Sequence, residues 1–295
     1  DLDDFRLSFT NSNITLWSVH MTETQSSNLF YFNNIRMPKT NESGPAFPAT
    51  IDNCTFYFEG KYYTGTPKIL ITNMNSTDKS FAVFFNNSNF LPLYQDLRNW
   101  NSGVQFEVAN SGLRMRNCTF KGLNFTDAIL LKLGNSALVD VEDSNFLNCL
   151  FNDSQLAHSM SSFLTFSKVV IAGNIFTRSA IEALAYYDIG VLGIIDSNFS
   201  GNILSGKAYL VFNLDLSNTS ENIFTMANTI FENNVFVPEG ACIFNAGKNC
   251  FIESSQFISN SLQGDRSLED SPALENLGVG KAEIENCTFK FNKGT

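Results

Sequence analysis

One recurrence limits what this chain can fold into: an aliphatic or aromatic residue, four spacers, then Phe. The pairs are Ile51/Phe56, Phe85/Phe90, Met115/Phe120, Val141/Phe146, Ile171/Phe176, Ile194/Phe199, Met226/Phe231, Ile252/Phe257 and Ile284/Phe289. Successive Phe residues lie 34, 30, 26, 30, 23, 32, 26 and 32 positions apart. A period of this size is the mark of a solenoid, in which one supersecondary unit buries its apolar side only by stacking on the next.

Two further columns travel with each Phe. Three residues earlier stand Asn53, Asn87, Asn117, Asp143, Gly173, Asp196, Asn228, Ser254 and Asn286, types that tolerate a left-handed or bent backbone. One residue after each of these comes a small side chain, among them Cys54, Ser88, Cys118, Ser144, Ser197 and Cys287. In a strand, positions two apart share a face, so the small residue and the Phe point inward together. The aliphatic residue has the wrong parity for one straight strand, and a bend at the Asn/Asp position restores it. Stacked amides at that bend are expected to form an inward ladder between rungs.

Upstream of the later motifs lie pairs of short apolar runs separated by Gly, Asn and Ser, such as 128–133 and 137–141 around Gly134-Asn135-Ser136. They are β-branched and aromatic, and few stretches carry ten residues of helical period. Each unit reads as strand, tight turn, strand, bend, short strand, loop. Three short strands per turn of about 29 residues predict a parallel β-helix of nine to ten rungs, right-handed by the crossover rule and stacked about 4.8 Å apart. A β-propeller needs longer, four-stranded blades, and a leucine-rich repeat needs shorter, Leu-based units. Residues 1–50 are expected to be an N-terminal cap or the first rungs, and 51–295 one continuous β-helix. The long insertions around 92–112 and 262–280 are expected to be flank loops.

The formal net charge is −10, with 19 Lys plus Arg against 29 Asp plus Glu. No basic stripe is present, which argues against nucleic acid and against an anionic membrane surface. No apolar run approaches the 18 residues of a membrane span. The chain begins at Asp1 without Met or a signal peptide, which fits either a removed leader or a start inside a longer protein. Its 36 Asn residues contribute to eleven Asn-x-Ser/Thr acceptors: Asn13, Asn41, Asn53, Asn75, Asn86, Asn117, Asn124, Asn152, Asn198, Asn218 and Asn286. That is roughly twice the number that composition alone supplies. It points to a secreted eukaryotic glycoprotein carrying N-linked glycans. Asn198 and the loop sites Asn13, Asn41, Asn75, Asn124, Asn152 and Asn218 should face outward. Asn53, Asn117 and Asn286 sit at the bend, where an inward ladder would block a glycan.

The six Cys are even in number, as an oxidising compartment favours. Cys54 and Cys118 lie two rungs apart, about 9.6 Å, beyond the reach of a disulfide. They and Cys287 therefore read as buried thiols. Cys242 and Cys250 flank one turn and are the disulfide candidate; Cys149 has no evident partner. The spacings match no zinc pattern, and no metal or cofactor is expected.

Phe199-Ser-Gly-Asn202, Phe231-Glu-Asn-Asn234, Phe257-Ile-Ser-Asn260 and Phe289-Lys-Phe-Asn292, with a weaker Gly240-Ala241-Cys242-Ile243, carry a resemblance. The chain resembles the pectin-lyase-like superfamily of right-handed β-helices over about residues 50 to 292. More narrowly, it resembles the Phe-x-x-Asn repeats of polymorphic outer-membrane proteins and related protist surface proteins. Enzymes of that superfamily cleave acidic polysaccharides, so the resemblance raises a divergent polysaccharide lyase. Their calcium-binding Asp sets, Asn-Thr-Asp, paired Asp and Gly-His-Gly motifs are missing here. His20 and His158 lack catalytic context. The acidic groups Asp1, Asp3, Asp4 and Glu269-Asp270 read as solvated, and Arg114 and Arg116 as an outward pair. The expectation is therefore a non-catalytic extracellular structural protein that stacks end to end with itself into a filament or surface coat. The repeat runs to Asn292 with no capping helix, and the expected contact is a neighbour's segment around Phe5–Trp17. The alternative is a glycan-binding adhesin using Tyr62, Tyr63, Tyr94 or Trp100.

Overall fold

Residues two apart in short β-branched and aromatic runs, punctuated by single residues with a left-handed backbone, give one repeating coil. The computed structural model describes residues 7–16, 28–33, 49–58, 68–72, 83–92, 104–185, 189–216, 222–263, 272–278 and 280–293. Within them all regular structure is β, and the strands of neighbouring coils pair in parallel, as in Gly112–Arg116 on Leu138–Glu142. The chain is a parallel β-solenoid built from four sheets of ten, ten, six and nine strands. A single coil shows the order. Gly112–Arg116 lies in the first sheet, Thr119–Lys121 in the second, Asn124–Thr126 in the third and Ile129–Leu133 in the fourth. Leu7–Thr10, Asn13–Leu16 and Asn28–Asn33 already belong to the first, second and fourth sheets.

The third sheet departs from the three-strand unit expected from the sequence. Its members, such as Leu150–Asn152 and Val235–Glu239, occupy the stretch after each Phe that reads as loop. They are only two to five residues long, too short for alternation to declare itself.

The core is a set of columns. In the second sheet Phe56, Phe90, Phe120 and Phe146 stack coil on coil, with ring centroids 4.9, 4.3 and 5.0 Å apart and planes within 9°. The next occupant is Ile171, after which Phe199, Phe231, Phe257 and Phe289 resume the stack. Phe176, the fifth Phe of the recurrence, is therefore misassigned by the sequence pattern. It stacks in the third sheet on Phe151, 4.7 Å away, and Phe151 on Phe125 at 4.6 Å. The cause is that Gly173-Asn174-Ile175-Phe176 repeats the local pattern of bend residue, small residue, spacer, aromatic.

Each bend is made by one residue with positive φ. Between the first and second sheets these are Asn11, Asn53, Asn87, Asn117, Asp143, Lys168, Asp196, Asn228, Ser254 and Asn286, all between 48° and 54°. Between the second and third sheets they include Gly122, Asn148, Gly173, Gly201 and Asn233. A bend breaks the ladder, and the N–H of the next, inward residue needs an acceptor. The inward residue one coil on supplies it. At the first bend the N–H of Cys118 donates to Ser144 Oγ at 3.0 Å and that of Val169 to Ser197 Oγ at 3.1 Å. At the second bend the N–H of Asn174 donates to Asn202 Oδ1, Asn202 to Asn234 and Asn234 to Asn260, at 3.0 to 3.1 Å.

The inward amide ladder thus lies at the second bend, Asn174, Asn202, Asn234, Asn260 and Asn292, and not at the first as the sequence suggested. The Nδ2 of each of the first four donates forward to the next Oδ1, and all five donate back to a carbonyl, as Asn234 does to Phe199 O at 2.9 Å. The first-bend residues point outward. Asn53, Asn117 and Asn286 are exposed, and Asn117 Nδ2 donates to Asn87 Oδ1 at 2.7 Å along the surface.

Candidate functional site

The interior is filled by rings and amides, and the groups open to a ligand lie on the outer faces. Four interior thiols are shifted away from their reactive form. Burial pushes the Cys118, Cys149 and Cys250 thiols up to about 12, and Cys242 well up as well. The thiolate is the reactive form. Cys242 and Cys250, the disulfide candidate, are not joined; all six cysteines are free. Cys242 stands just before the fourth-sheet strand Ile243–Ala246 and Cys250 inside the following first-sheet strand Asn249–Glu253. At about 3.3 Å per residue the first strand alone separates Cys242 from the corner by more than the span of a disulfide.

The glycan acceptors divide by position. Asn53, Asn117, Asn152 and Asn286 are exposed; Asn86 and Asn198 are half-buried on strands. Asn124, expected on an outward loop, is a buried strand residue. Asn41, Asn75 and Asn218 lie outside the described residues, and Asn13 falls in the strand Asn13–Leu16. Each Asn-Cys-Thr acceptor places Asn at the exposed bend and Cys in the inward slot, as with Asn117 and Cys118.

Charged side chains face outward and are paired across coils. Arg114 Nε lies 3.2 Å from Asp140 and its Nη2 3.0 Å from Glu142. Arg116 reaches Glu142 and Asp143, each at 3.7 Å. These pairs sit beside an open polar cleft lined by Asn86, Asn87, Arg116, Asn117 and Asp143. On the fourth sheet Lys132 meets Glu107 at 3.4 Å. His158 Nδ1 meets Glu182 at 3.1 Å, and Gln155 Nε2 donates to the same carboxylate at 2.6 Å. The His158 hydrogen bond holds Glu182 below the usual glutamate range against an opposing push from burial. No group of three or more His, Cys, Asp or Glu side chains able to hold a metal occurs among the described residues. No helix there is long and apolar enough to cross a membrane.

Tyr62, Tyr63, Tyr94, Trp100, His20 and the acidic groups Asp1, Asp3, Asp4 and Glu269-Asp270 lie outside the described residues. A different aromatic group stands on the outer fourth sheet. Phe212 and Phe244 stack at 4.9 Å, Tyr209 packs on Phe244 at 5.0 Å, and the Tyr209 hydroxyl lies 3.2 Å from Glu275. The sequence places Phe244 in a separate run from Tyr209 and Phe212, and the register Phe212 on Phe244 brings the three rings together.

The coil Lys281–Lys290 is the last among the described residues. Its core-slot residues are exposed, Ile284 by 43% and Phe289 by 48%, where Ile252 and Phe257 one coil earlier are at 1% and 0%. Phe291 beside them is 77% exposed.

The stacked parallel strands and inward columns define the class, a parallel β-solenoid. No profile of a known protein family matches the chain, and no curated protein matches it. Among solved structures, full-length QnrB1, a plasmid-mediated fluoroquinolone resistance protein, aligns over 96% of this chain and 93% of its own at 10% identity and a TM-score of 0.28. A trypsin-treated form of QnrB1 aligns over 97% and 90% at 10% identity and 0.29. Likeness at that level carries no argument about function.

Proposed function

We propose that this chain is a non-catalytic, extracellular structural solenoid that associates end to end with further copies of itself. The supporting observation is that the coil Lys281–Lys290 repeats, in register, the columns on which the described coils stack. Its Ile284 and Phe289 occupy columns that are buried in every earlier coil for which side chains are described. A column that repeats in register accepts a further coil of the same kind. The registers name the contact. Ile284 shares its column with Phe9, and Phe289 with Ile14, so a second copy would continue the first and second sheets with its strands Leu7–Thr10 and Asn13–Leu16. The Asn-x-Ser/Thr excess and the Phe-x-x-Asn resemblance to surface repeats support the extracellular placement. Such contacts do not close and propagate as a filament.

Light scattering and electron microscopy of the purified chain test the reading. The expected result is a concentration-dependent series of rods, abolished by Phe289→Asp. A single monomeric species at all concentrations overturns it.

A further inference from the structure

Eight of the Asn-x-Ser/Thr acceptors fall on described residues, and six of these gather at one corner of the coil. Asn53, Asn117 and Asn286 are themselves bend residues between the first and second sheets. Asn13 and Asn198 stand two positions after the bends Asn11 and Asp196, and Asn86 one position before the bend Asn87. The coils whose bends are Asn11, Asn53, Asn87 and Asn117 thus carry one acceptor each at this corner.

Backbone shape accounts for Asn at the bend, where φ is near 50°, but not for the residue that completes the acceptor. Thr55, Thr119 and Thr288 belong to an outward column that Asn89, Asn145, Val170, Ile230 and Gln256 fill in other coils. The fold therefore requires no hydroxyl there. Each of the three bend Asn side chains is exposed, and the Thr beside it is half-buried on the same outer surface. A glycan replaces one of the two side-chain N–H groups of Asn. The surface ladder takes the other, from Asn53 Nδ2 to Asn11 Oδ1 at 2.6 Å and from Asn117 Nδ2 to Asn87 Oδ1 at 2.7 Å. Ladder and glycan are compatible.

The interior amides are treated in the opposite way. Asn174, Asn202, Asn234 and Asn260 are each followed, two positions on, by a buried Phe or Leu, which bars an acceptor. Asn124 is the one buried acceptor among the described residues.

We infer that the corner between the first and second sheets is a ridge of N-linked glycans on Asn53, Asn117 and Asn286, and that Asn124 stays unmodified in the folded protein. The sequence suggested the reverse for the three bend positions. Half-buried Asn86 and Asn198 are lesser acceptors beside them. Asn53 and Asn117 lie two coils apart, about 9.6 Å, and Asn86 between them belongs to the first-sheet strand Val83–Asn86. Glycans are bulky and solvated, so the ridge closes this corner to contact between rods. With end-to-end stacking it would run on from copy to copy as one stripe. The inference rests on the extracellular part of the previous reading, since the acceptors are used in the secretory pathway.

The test is site-by-site occupancy in the full chain secreted from cultured eukaryotic cells. Enzymatic release of the glycans in heavy-oxygen water marks each occupied Asn as a labelled Asp for peptide mass spectrometry. Asn53, Asn117 and Asn286 are expected to be occupied in most molecules, Asn86 and Asn198 less often, and Asn124 in none. Thr119→Val introduces the residue that Val170 already supplies to this column. It should remove one glycan with no change in melting temperature, and Thr126→Val should leave the number of glycans unchanged. Empty bend acceptors, or a glycan on Asn124, in secreted and folded protein would overturn the inference and leave end-to-end stacking standing. Failure to secrete a chain that folds in bacteria would refute the extracellular placement and this inference with it. Loss of the rods with the ridge occupied would refute stacking alone.

Discussion

Asn228 and Asn234 belong to one coil, six residues apart, and solve the same problem in opposite ways. Asn228 makes the first bend. Its backbone takes φ 50°, its side chain is outside, and its amide donates to Asp196 at 3.1 Å. Asn234 follows the second bend, which Asn233 makes at φ 55°. Its amide is fully buried and fixes three neighbouring groups, the N–H and Nδ2 of Asn202 and the carbonyl of Phe199. At the first bend the inward acceptor is the Thr229 hydroxyl, which receives the Ser197 N–H at 3.5 Å and donates to Ala227 O at 3.0 Å. The same residue type therefore serves backbone shape at one corner and hydrogen-bond closure at the other.

The widest separation between the two corners should appear in stability. Asn234→Ala leaves two donors and a carbonyl buried without partners, at about 1–3 kcal/mol each. We expect a loss of about 3–5 kcal/mol by urea unfolding; a loss under about 1 kcal/mol would mean that water replaces the ladder. Asn228→Ala removes only a side chain suited to the left-handed region and should cost about 1 kcal/mol. Asn228→Gly should be within about 0.5 kcal/mol of the parent, since Gly adopts that backbone freely. If Asn228→Ala matched Asn234→Ala, the distinction between the corners would fail.

Thiol labelling sharpens the comparison along the axis. Cys118 and Cys287 occupy the same inward slot, but Cys287 lies in the exposed coil and is only partly buried. Maleimide should modify Cys287 in the native protein and reach Cys118 only on unfolding. Protection of Cys287 at high concentration would report end contact directly.

The smallest effect is acid-dependent and lies on the fourth sheet. Glu182 titrates below its ordinary value in the folded state, so its contribution is present above the unfolded value of about 4.3. It is lost as pH falls through the lower, folded value. His158→Ala removes the main cause. The variant should be slightly less stable than the parent at pH 6, and the gap in urea midpoint should close by pH 3. A gap that persists at pH 3 would assign the effect to packing.

The recurring Phe made the solenoid legible because stacking demands the same large side chain in the same slot of each coil. What defeated the reading was local repetition. The two bends share one pattern of turn residue, inward small residue, spacer and inward aromatic. Phe176 at the second bend therefore passed for a member of the column that Ile171 fills. The third sheet stayed hidden because strands of two to five residues carry too little alternation to be told from loop. The outward turn of Asn53 and Asn117 was equally invisible, since a residue suited to positive φ and a residue suited to an amide ladder are both Asn. The apolar file on the third sheet needed the register. Leu150, Ile175, Ile203 and Val235 lie 25 to 32 residues apart and become neighbours only through cross-strand pairing.

The buried amide column also has a direction. From Asn174 to Asn292 every carboxamide oxygen receives from the coil before it, and from Asn174 to Asn260 every Nδ2 gives to the coil after. Aligned dipoles of this kind reinforce one another and give the rod a sense, like a one-way street. Two rods meeting at their Asn292 ends would set donor against donor. In the end-to-end reading proposed above, addition of like units is vectorial and a filament would have two chemically distinct tips.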